Sequence, residues 1–435
     1  MNSRDITKGN RAKTLLLFSL PFLGGNLLQT LYGIVDLYIV GQFSDAENLA
    51  AVSIGSLLMS GVSCMLIGLT TGATVLVGQF WGSGNHRDAE RSIANAFTVF
   101  PLIGAGLALL VLLLAEPLLR LMNTPAESYV QTLQYVRICC GGVIFTAGYN
   151  ALTGVLRGMG DSNKPLLFVA VACVVNIAGD LILVAGCGMG AAGAAIATAA
   201  AQAVSLIVGV LYIRRKDFPF DFRLRSFSLR GGYTSRLLRL GIPLALQETM
   251  ITLSFLIVEA VINRMGYIAS AGGGICDRVF LLTTIPPMAF SAATAAMVAQ
   301  NMGAREFDRC RKCTVLSCSF SFGLCLCIFL WMAFAPESVA GIFTDDRDVI
   351  TAACQYLRAS KVEFLMCSVL FCLNGFINGT GHTRFTFWSN LLASFCVRLP
   401  LVFLFSSRPG ATLFHVGLAL PFSAVAQIIA AANQD

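Results

Sequence analysis

The sequence predicts an all-α polytopic membrane protein, with twelve transmembrane helices in two six-helix lobes related by a pseudo-two-fold along the membrane normal. Three observations predict it: an excess of apolar residues, twelve apolar runs of spanning length, and a second half that repeats the first. Of 435 residues, 56% are apolar and 12% charged, where an ordinary soluble domain carries about 25% charged residues. With a mean hydropathy of +0.75 and 41 glycines, this composition excludes a disordered chain, a nucleic-acid-binding domain and an ordinary soluble enzyme. No globule of this size could hide so much apolar surface from water.

A spanning helix takes about 20 mostly apolar residues, and twelve such runs can be traced in order. The first, 15–40, has no small-residue cleavage site and is too long for a signal-peptide core, so it reads as a retained helix; it carries Pro21 and Asp36. Runs at 48–72, 93–115 and 131–154 come next, the last holding Cys139 and Cys140. The fifth, 165–185, carries Asn176 and Asp180, and the sixth, 191–213, carries Thr198. The second six lie at 240–262 (Pro243, Glu248, Glu259), 270–298 (Pro286, Pro287), 313–335, 353–377 (Glu363), 386–406 (Pro400) and 412–432 (Pro421). Prolines inside spans remove one backbone N–H each and permit a kink.

Lys and Arg fix the orientation. The N-terminal tail and the even-numbered loops hold 21 of them, among them Arg87, Arg157, Arg214, Arg239, Arg305 and Arg384. The opposite face holds only Arg120, Arg264, Arg347 and Arg408. By the positive-inside rule both termini and the 214–239 loop are cytoplasmic, which makes the protein a multi-pass component of the cell membrane. The net charge of +7 is therefore spread over short loops and is no nucleic-acid footprint.

At a shift of 221 residues Gln79 pairs with Gln300, Gly82 with Gly303, Glu116 with Glu337, Gly154 with Gly375, Gly158 with Gly379 and Gly160 with Gly381. Six helices per repeat is an even number, so the two halves share one orientation, as in repeat-built transporters. The division is 1–213 for the N-terminal lobe, 214–239 for a basic cytoplasmic linker, amphipathic at best, and 240–435 for the C-terminal lobe.

Acids inside spans are expensive and count as functional candidates. Asp36 sits among Ile34, Val35, Leu37 and Tyr38; Asn176 and Asp180, four apart, share one helical face. Thr198 on the next helix is the natural neighbour of both. Two carboxylates, an amide oxygen and a hydroxyl form a hard-oxygen set suited to Na⁺ or to shared protons; a hydrogen-bond network that only binds the helices together is the plainer alternative. Glu248, Glu259 and Glu363 are the second-half acids, with Arg358 and Lys361 as candidate counter-charges for Glu363. Gly188-Met189-Gly190-Ala191-Ala192-Gly193 imitates a dinucleotide-binding fingerprint but opens a membrane span, where small residues serve a tight turn and close packing. Of fifteen cysteines most lie in apolar runs as small hydrophobes, and the one CxxC, Cys310 to Cys313, has no partner pair for a metal. His86, His382 and His415 are not at ligand spacing.

The segments LPFLGGNLLQTLYGIVDLYIVGQF (20–43), VGQFWGSGNHRDAERS (77–92), EPLLRLMNTP (116–125), LRGMGDSNKP (156–165) and VVNIAGDLILVAGCGMGAAGAAIAT (174–198) resemble the multidrug and toxic compound extrusion (MATE) family. GICDRVFLLTTIPPMAFSAA (274–293) and GFINGTGHTR (375–384) are their echoes in the second half. The resemblance implies two lobes around a central cavity and a secondary antiporter, not an enzyme, exporting drugs or toxic, often cationic, compounds against H⁺ or Na⁺. It also implies Asp36, Asn176, Asp180 and Thr198 as the cation-coupling set, and acids on helices 7 and 10 serving ion or cargo, with Glu248 displaced by about a turn from that pattern. Gln29 and Tyr32, on the Asp36 face at spacings of seven and four, join Glu248 and Glu363 as substrate-cavity candidates. No cofactor beyond the coupling ion is expected; the partners are a small-molecule substrate and membrane lipid, with no nucleic acid, and the chain works as a monomer. A lipid-linked saccharide flippase of the same broad superfamily is the rival cargo reading; it would need several internal cations, and the spans offer Arg137, Arg278, Arg358, Lys361 and Arg398. A membrane-embedded enzyme would need a cluster of acids or histidines, and the only adjacent acids, Asp345 and Asp346, fall in an outer loop.

Overall fold

The computed structural model describes residues 6–214, 218, 229 and 231–432. Its helices are α1 (Arg11–Phe43), α2 (Ala46–Gly82), α3 (His86–Leu121), α4 (Ala126–Gly158), α5 (Asn163–Asp180), α6 (Gly190–Arg214) and α7 (Gly231–Asn263). Then come α8 (Tyr267–Gly303), α9 (Phe307–Phe334), the short α10 (Pro336–Ala340), α11 (Arg347–Thr380), α12 (Thr383–Leu392), α13 (Leu399–Ser406) and α14 (Leu413–Ala432). Among the described residues, twelve helical stretches are long and apolar enough to cross a membrane.

The helices outrun the apolar runs that announce them. A helix of 37 residues such as α2 is about 55 Å long at 1.5 Å per residue, well beyond a hydrocarbon core of about 30 Å. Hydropathy sees only the middle; the ends continue as polar turns. Thus α3 begins at His86, with the side chain of Asn85 accepting from the Asp88 N–H at 3.2 Å. Likewise α7 begins at Gly231, so that Arg236 and Arg239 of the basic segment ride on its first turns. Arg214 ends α6; residues 215–217, 219–228 and 230 of that segment lie outside the described residues, and its amphipathic surface character with them.

Two spans read as continuous are interrupted. α5 passes into a π-helical stretch, Leu181–Gly186, directly after Asp180. The run 386–406 is α12, then a π-helical stretch Ala393–Arg398, then α13 with Pro400 in its first turn. π turns widen the ring and shift the register of the residues beyond them, and they concentrate at functional sites. Pro21, Pro243, Pro286, Pro287 and Pro421 lie inside helices as expected, and α3 holds two more, Pro101 and Pro117.

The described chain forms two compact units. The first comprises the described residues within 6–8, 20–245 and 299–305; the second comprises those within 9–19, 246–298 and 306–432. In the first, α4 is the central helix: Leu152 and Leu156 lie in a core with Leu66, Phe100 and Phe168, and Thr74 Oγ1 donates to the Gly154 carbonyl at 3.0 Å, binding α2 to α4. In the second, α11 has that role, with Tyr356, Leu357 and Phe364 packed with Met332, Val416 and Leu420. Leu109, Leu113, Ile182 and Leu404 face outward; such a surface suits lipid and not water. None of the fifteen cysteines is in a disulfide, and Cys310 and Cys313 are buried in α9, where Cys310 Sγ lies 3.7 Å from the Val298 carbonyl oxygen.

The glycine-rich turn before α6 is a backbone device. Gly188 and Gly190 take φ of +65° and +53°, a region that favours glycine, and a Cβ on Gly190 would fall 2.4 Å from Asn48 Oδ1. That oxygen accepts from the Ala191 N–H at 2.9 Å, so Asn48 caps α6 from α2. Asn48→Ala is expected to lower the stability of the detergent-solubilised protein by about 1 kcal/mol, read as a drop in melting temperature; an unchanged melting point would refute the cap.

Candidate functional site

In the first unit α1, α5 and α6 bring Asp36, Asn176, Asp180 and Thr198 into one neighbourhood. The helical spacing of four turns Asn176 and Asp180 to the same side of α5. Small residues let α6 come close: a Cβ on Gly179 would lie 2.8 Å from Ala197 Cβ. Asn176 Nδ2 donates to Thr198 Oγ1 at 3.4 Å, a long bond by the usual standard. The carboxyl groups of Asp36 and Asp180 are within hydrogen-bonding reach of each other.

Burial makes this arrangement costly. Asp180 is 0% exposed, Asn176 2% and Asp36 9%. Both carboxylate oxygens of Asp180, Oδ1 of Asp36 and Oδ1 of Asn176 are buried without a hydrogen-bond donor among the described residues. Two carboxylates at this distance repel unless a proton or a cation stands between them, and a buried charge without either is strongly destabilising. The donor set is all oxygen, which fits a proton or a hard monovalent cation and offers nothing to a soft metal. Among the described residues no three His, Cys, Asp or Glu side chains gather to hold a metal.

Tyr32, one turn before Asp36, stands beside Asp36 and Cys173, and Cys173 Sγ lies 3.6 Å from the Leu28 carbonyl oxygen. Gln29 is exposed and lines a recess with Pro21, Asn26 and Arg157; that recess does not include the acid pair. The guanidinium of Arg157 lies 4.5 Å from the centre of the Phe22 ring there. Tyr135 and Cys139 of α4 lie within electrostatic reach of Asp36. The sequence carries no signal for these two, because their helical face gains meaning only once α4 is known to pass α1.

In the second unit the acids separate. Glu363 is buried in α11 and its counter-ion is Arg398, whose Nη2 donates to Glu363 Oε1 at 3.4 Å. The candidate partners Arg358 and Lys361 do not serve: Arg358 is exposed, and Lys361 Nζ stands 5.9 Å over the Phe329 ring. The correction has a helical cause, since residues at i−5 and i−2 point away from Glu363. Glu248 is half-buried in α7 and is no member of that pair, and Glu259 is exposed. Asp277 of α8, exposed within the stretch GICDRVF, lies within electrostatic reach of Glu259 and Tyr356.

The family model described as MatE matches residues 21–182 and again 243–404. The chain belongs to the MatE family. The two matched stretches are the repeat read from Gln79/Gln300 and Gly154/Gly375, and MatE proteins are transporters, not enzymes. A probable multidrug resistance protein, YpnP of Bacillus subtilis, is 29% identical over 97% of this chain and 94% of its own length. The multidrug resistance protein MdtK of Pectobacterium atrosepticum is 24% identical over 95% of this chain and 93% of its own. A solved structure titled as the outward-facing conformation of a multidrug resistance MATE family transporter superposes with a TM-score of 0.91 at 22% identity, covering 99% of this chain and 97% of that one. This MatE chain is therefore an all-α, multi-pass membrane transporter.

Proposed function

We propose that this chain is a secondary active antiporter of the cell membrane, its termini cytoplasmic, that exports drugs or toxic, often cationic, organic compounds in exchange for H⁺ or Na⁺ by alternating access. It works as a monomer and needs no cofactor besides the coupling ion. One observation carries the reading: the cluster of buried oxygens on Asp36, Asp180 and Asn176 that no donor among the described residues satisfies. The names of the relatives as multidrug resistance proteins support the cargo class. A lipid-linked saccharide flippase would want free internal cations for pyrophosphate, whereas Arg398 is engaged with Glu363.

The chemistry of the cluster supplies the coupling. Asp36 and Asp180 hold the proton or Na⁺, Asn176 and Thr198 fix the geometry of the oxygens, and Tyr32 extends the polar wall along α1. Neutralising the acid pair removes its repulsion and draws α1 towards α5; Pro21 lower on α1 provides the weak point at which the helix adjusts. In an antiporter the cation and the cargo must prefer different states, since a ligand shifts an equilibrium only by its differential affinity.

The test is linkage. In proteoliposomes with H⁺ and Na⁺ gradients imposed separately, one of the two is expected to drive export. Cargo affinity is expected to weaken by about 5- to 150-fold between zero and saturating driving cation, with the cation weakened reciprocally by cargo. Equal cargo affinity at both cation levels would overturn the proposal.

A further inference from the structure

Glu363 and Arg398 form the most enclosed ion pair among the described residues, with side chains 2% and 7% exposed. Arg398 closes the π-helical stretch Ala393–Arg398. Its Nε donates to Ser423 Oγ of α14 at 3.2 Å, its Nη2 to Glu363 Oε1 of α11, and its guanidinium lies 4.5 Å from the centre of the Phe255 ring of α7. Phe255, Phe280 and Phe364 continue with ring centroids 5.0 and 5.7 Å apart, so the pair stands against an aromatic wall. Tyr356 and Cys367 on α11 lie within electrostatic reach of Glu363 and Arg398, and Cys325 of α9 and Cys276 and Asp277 of α8 within reach of Tyr356 or Cys367.

The two units thus treat a deep acid in opposite ways. Asp36 and Asp180 have orphaned oxygens and no Lys or Arg bonded to them among the described residues; Glu363 has a guanidinium attached to its own chain. A buried carboxylate requires a compensating positive charge or a proton. Where the polypeptide provides that charge, a diffusible cation has no reason to enter; where it does not, one must come and go. The pair is also an indifferent fastener, because Nη1 of Arg398 is buried without an acceptor, and a buried ion pair that is incompletely satisfied gains little over a neutral pair of similar volume.

We infer that Arg398 is a built-in counter-cation for Glu363, which keeps the coupling H⁺ or Na⁺ off this acid, so that Glu363 adds nothing to the number of cations exchanged per cargo at the Asp36–Asp180 pair. This rests on the antiport reading above. Arg398 is on this view a positioning residue for charge, and its removal should add a cation requirement and not merely slow transport.

The test counts cations. In proteoliposomes the opposing cation gradient that just halts cargo movement gives the exchange ratio. Glu363→Gln combined with Arg398→Gln, a neutral and smaller pair, is expected to keep the wild-type ratio; a lower ratio would overturn the inference. Arg398→Gln alone leaves Glu363 without its charge and is expected to raise the ratio by one cation, a gain that disappears in the double variant; a folded single variant with the wild-type ratio would also overturn it. Should the single variant not fold, the double variant decides. Asp36→Asn in parallel separates the two failures: retained cation-driven export in that variant defeats the antiport reading itself, whatever the Arg398 variants do.

Discussion

Asp36→Asn is expected to abolish gradient-driven export while leaving the protein folded and inserted. Asparagine keeps the size of aspartate but cannot take up or release a charge, so one of the two carboxyls that must alternate between ionised and neutralised is lost. The remaining Asp180 then has a neutral neighbour within reach that can donate a hydrogen bond, in place of a like charge. Stability should therefore hold or rise, which separates loss of coupling from loss of fold. Driving a two-state transporter from one face to the other takes a difference in cation affinity of about 10⁴-fold between its states, and a site with half its charge cannot supply it. Cargo uptake against an imposed H⁺ or Na⁺ gradient in proteoliposomes, together with the melting temperature of the purified protein, checks both parts. Export at the wild-type rate would be fatal to the assignment of Asp36.

The second large effect is structural and comes from the residues that reveal the repeat. A Cβ on Gly82 would stand 2.0 Å from the Gln300 carbonyl oxygen, and a Cβ on Gly303 would stand 2.0 Å from the Gln79 carbonyl oxygen. The ends of α2 and α8 therefore meet reciprocally, backbone against backbone, and Gln300 Nε2 is tied to the Gly158 carbonyl at 2.7 Å besides. Main-chain oxygens cannot rotate aside as a flexible side chain could. Gly82→Ala or Gly303→Ala is expected to cost about 1–3 kcal/mol or more by overpacking, seen as a clear fall in melting temperature. The two costs should not add, because one separation of the helix ends relieves both clashes. Additive losses, or none, would show that the ends are not in contact.

Much of this molecule can be read from local pattern. The twelve spans follow from hydropathy, because in lipid a helix must satisfy its own backbone and declare itself by about 20 apolar residues. Membership of Asp36, Asn176 and Asp180 in a polar cluster follows from the rarity of acids in such runs and from the spacing of four on one helix. The repeat is visible because Gln79, Gly82, Gln300 and Gly303 are constrained by one reciprocal packing. The same kind of spacing puts Gln29 with Tyr32, yet Gln29 lines a recess that does not include the acid pair; helical phase names a face and not what lies against it.

The rest was decided by tertiary structure. Hydropathy stops at the edge of the hydrocarbon, so it could not see α7 starting at Gly231. It is blind to backbone register, so the π-helical stretches after Asp180 and up to Arg398 left no mark in it. Glu363 has basic residues nearby in sequence, but its partner is 35 positions away, and the electrostatic reach of Tyr135 and Cys139 to Asp36 joins helices far apart in the chain. Sequence determines which residues are too polar for lipid, because that penalty belongs to each residue alone. Which cation or oxygen answers each of them is a property of neighbouring helices, and only packing brings those together.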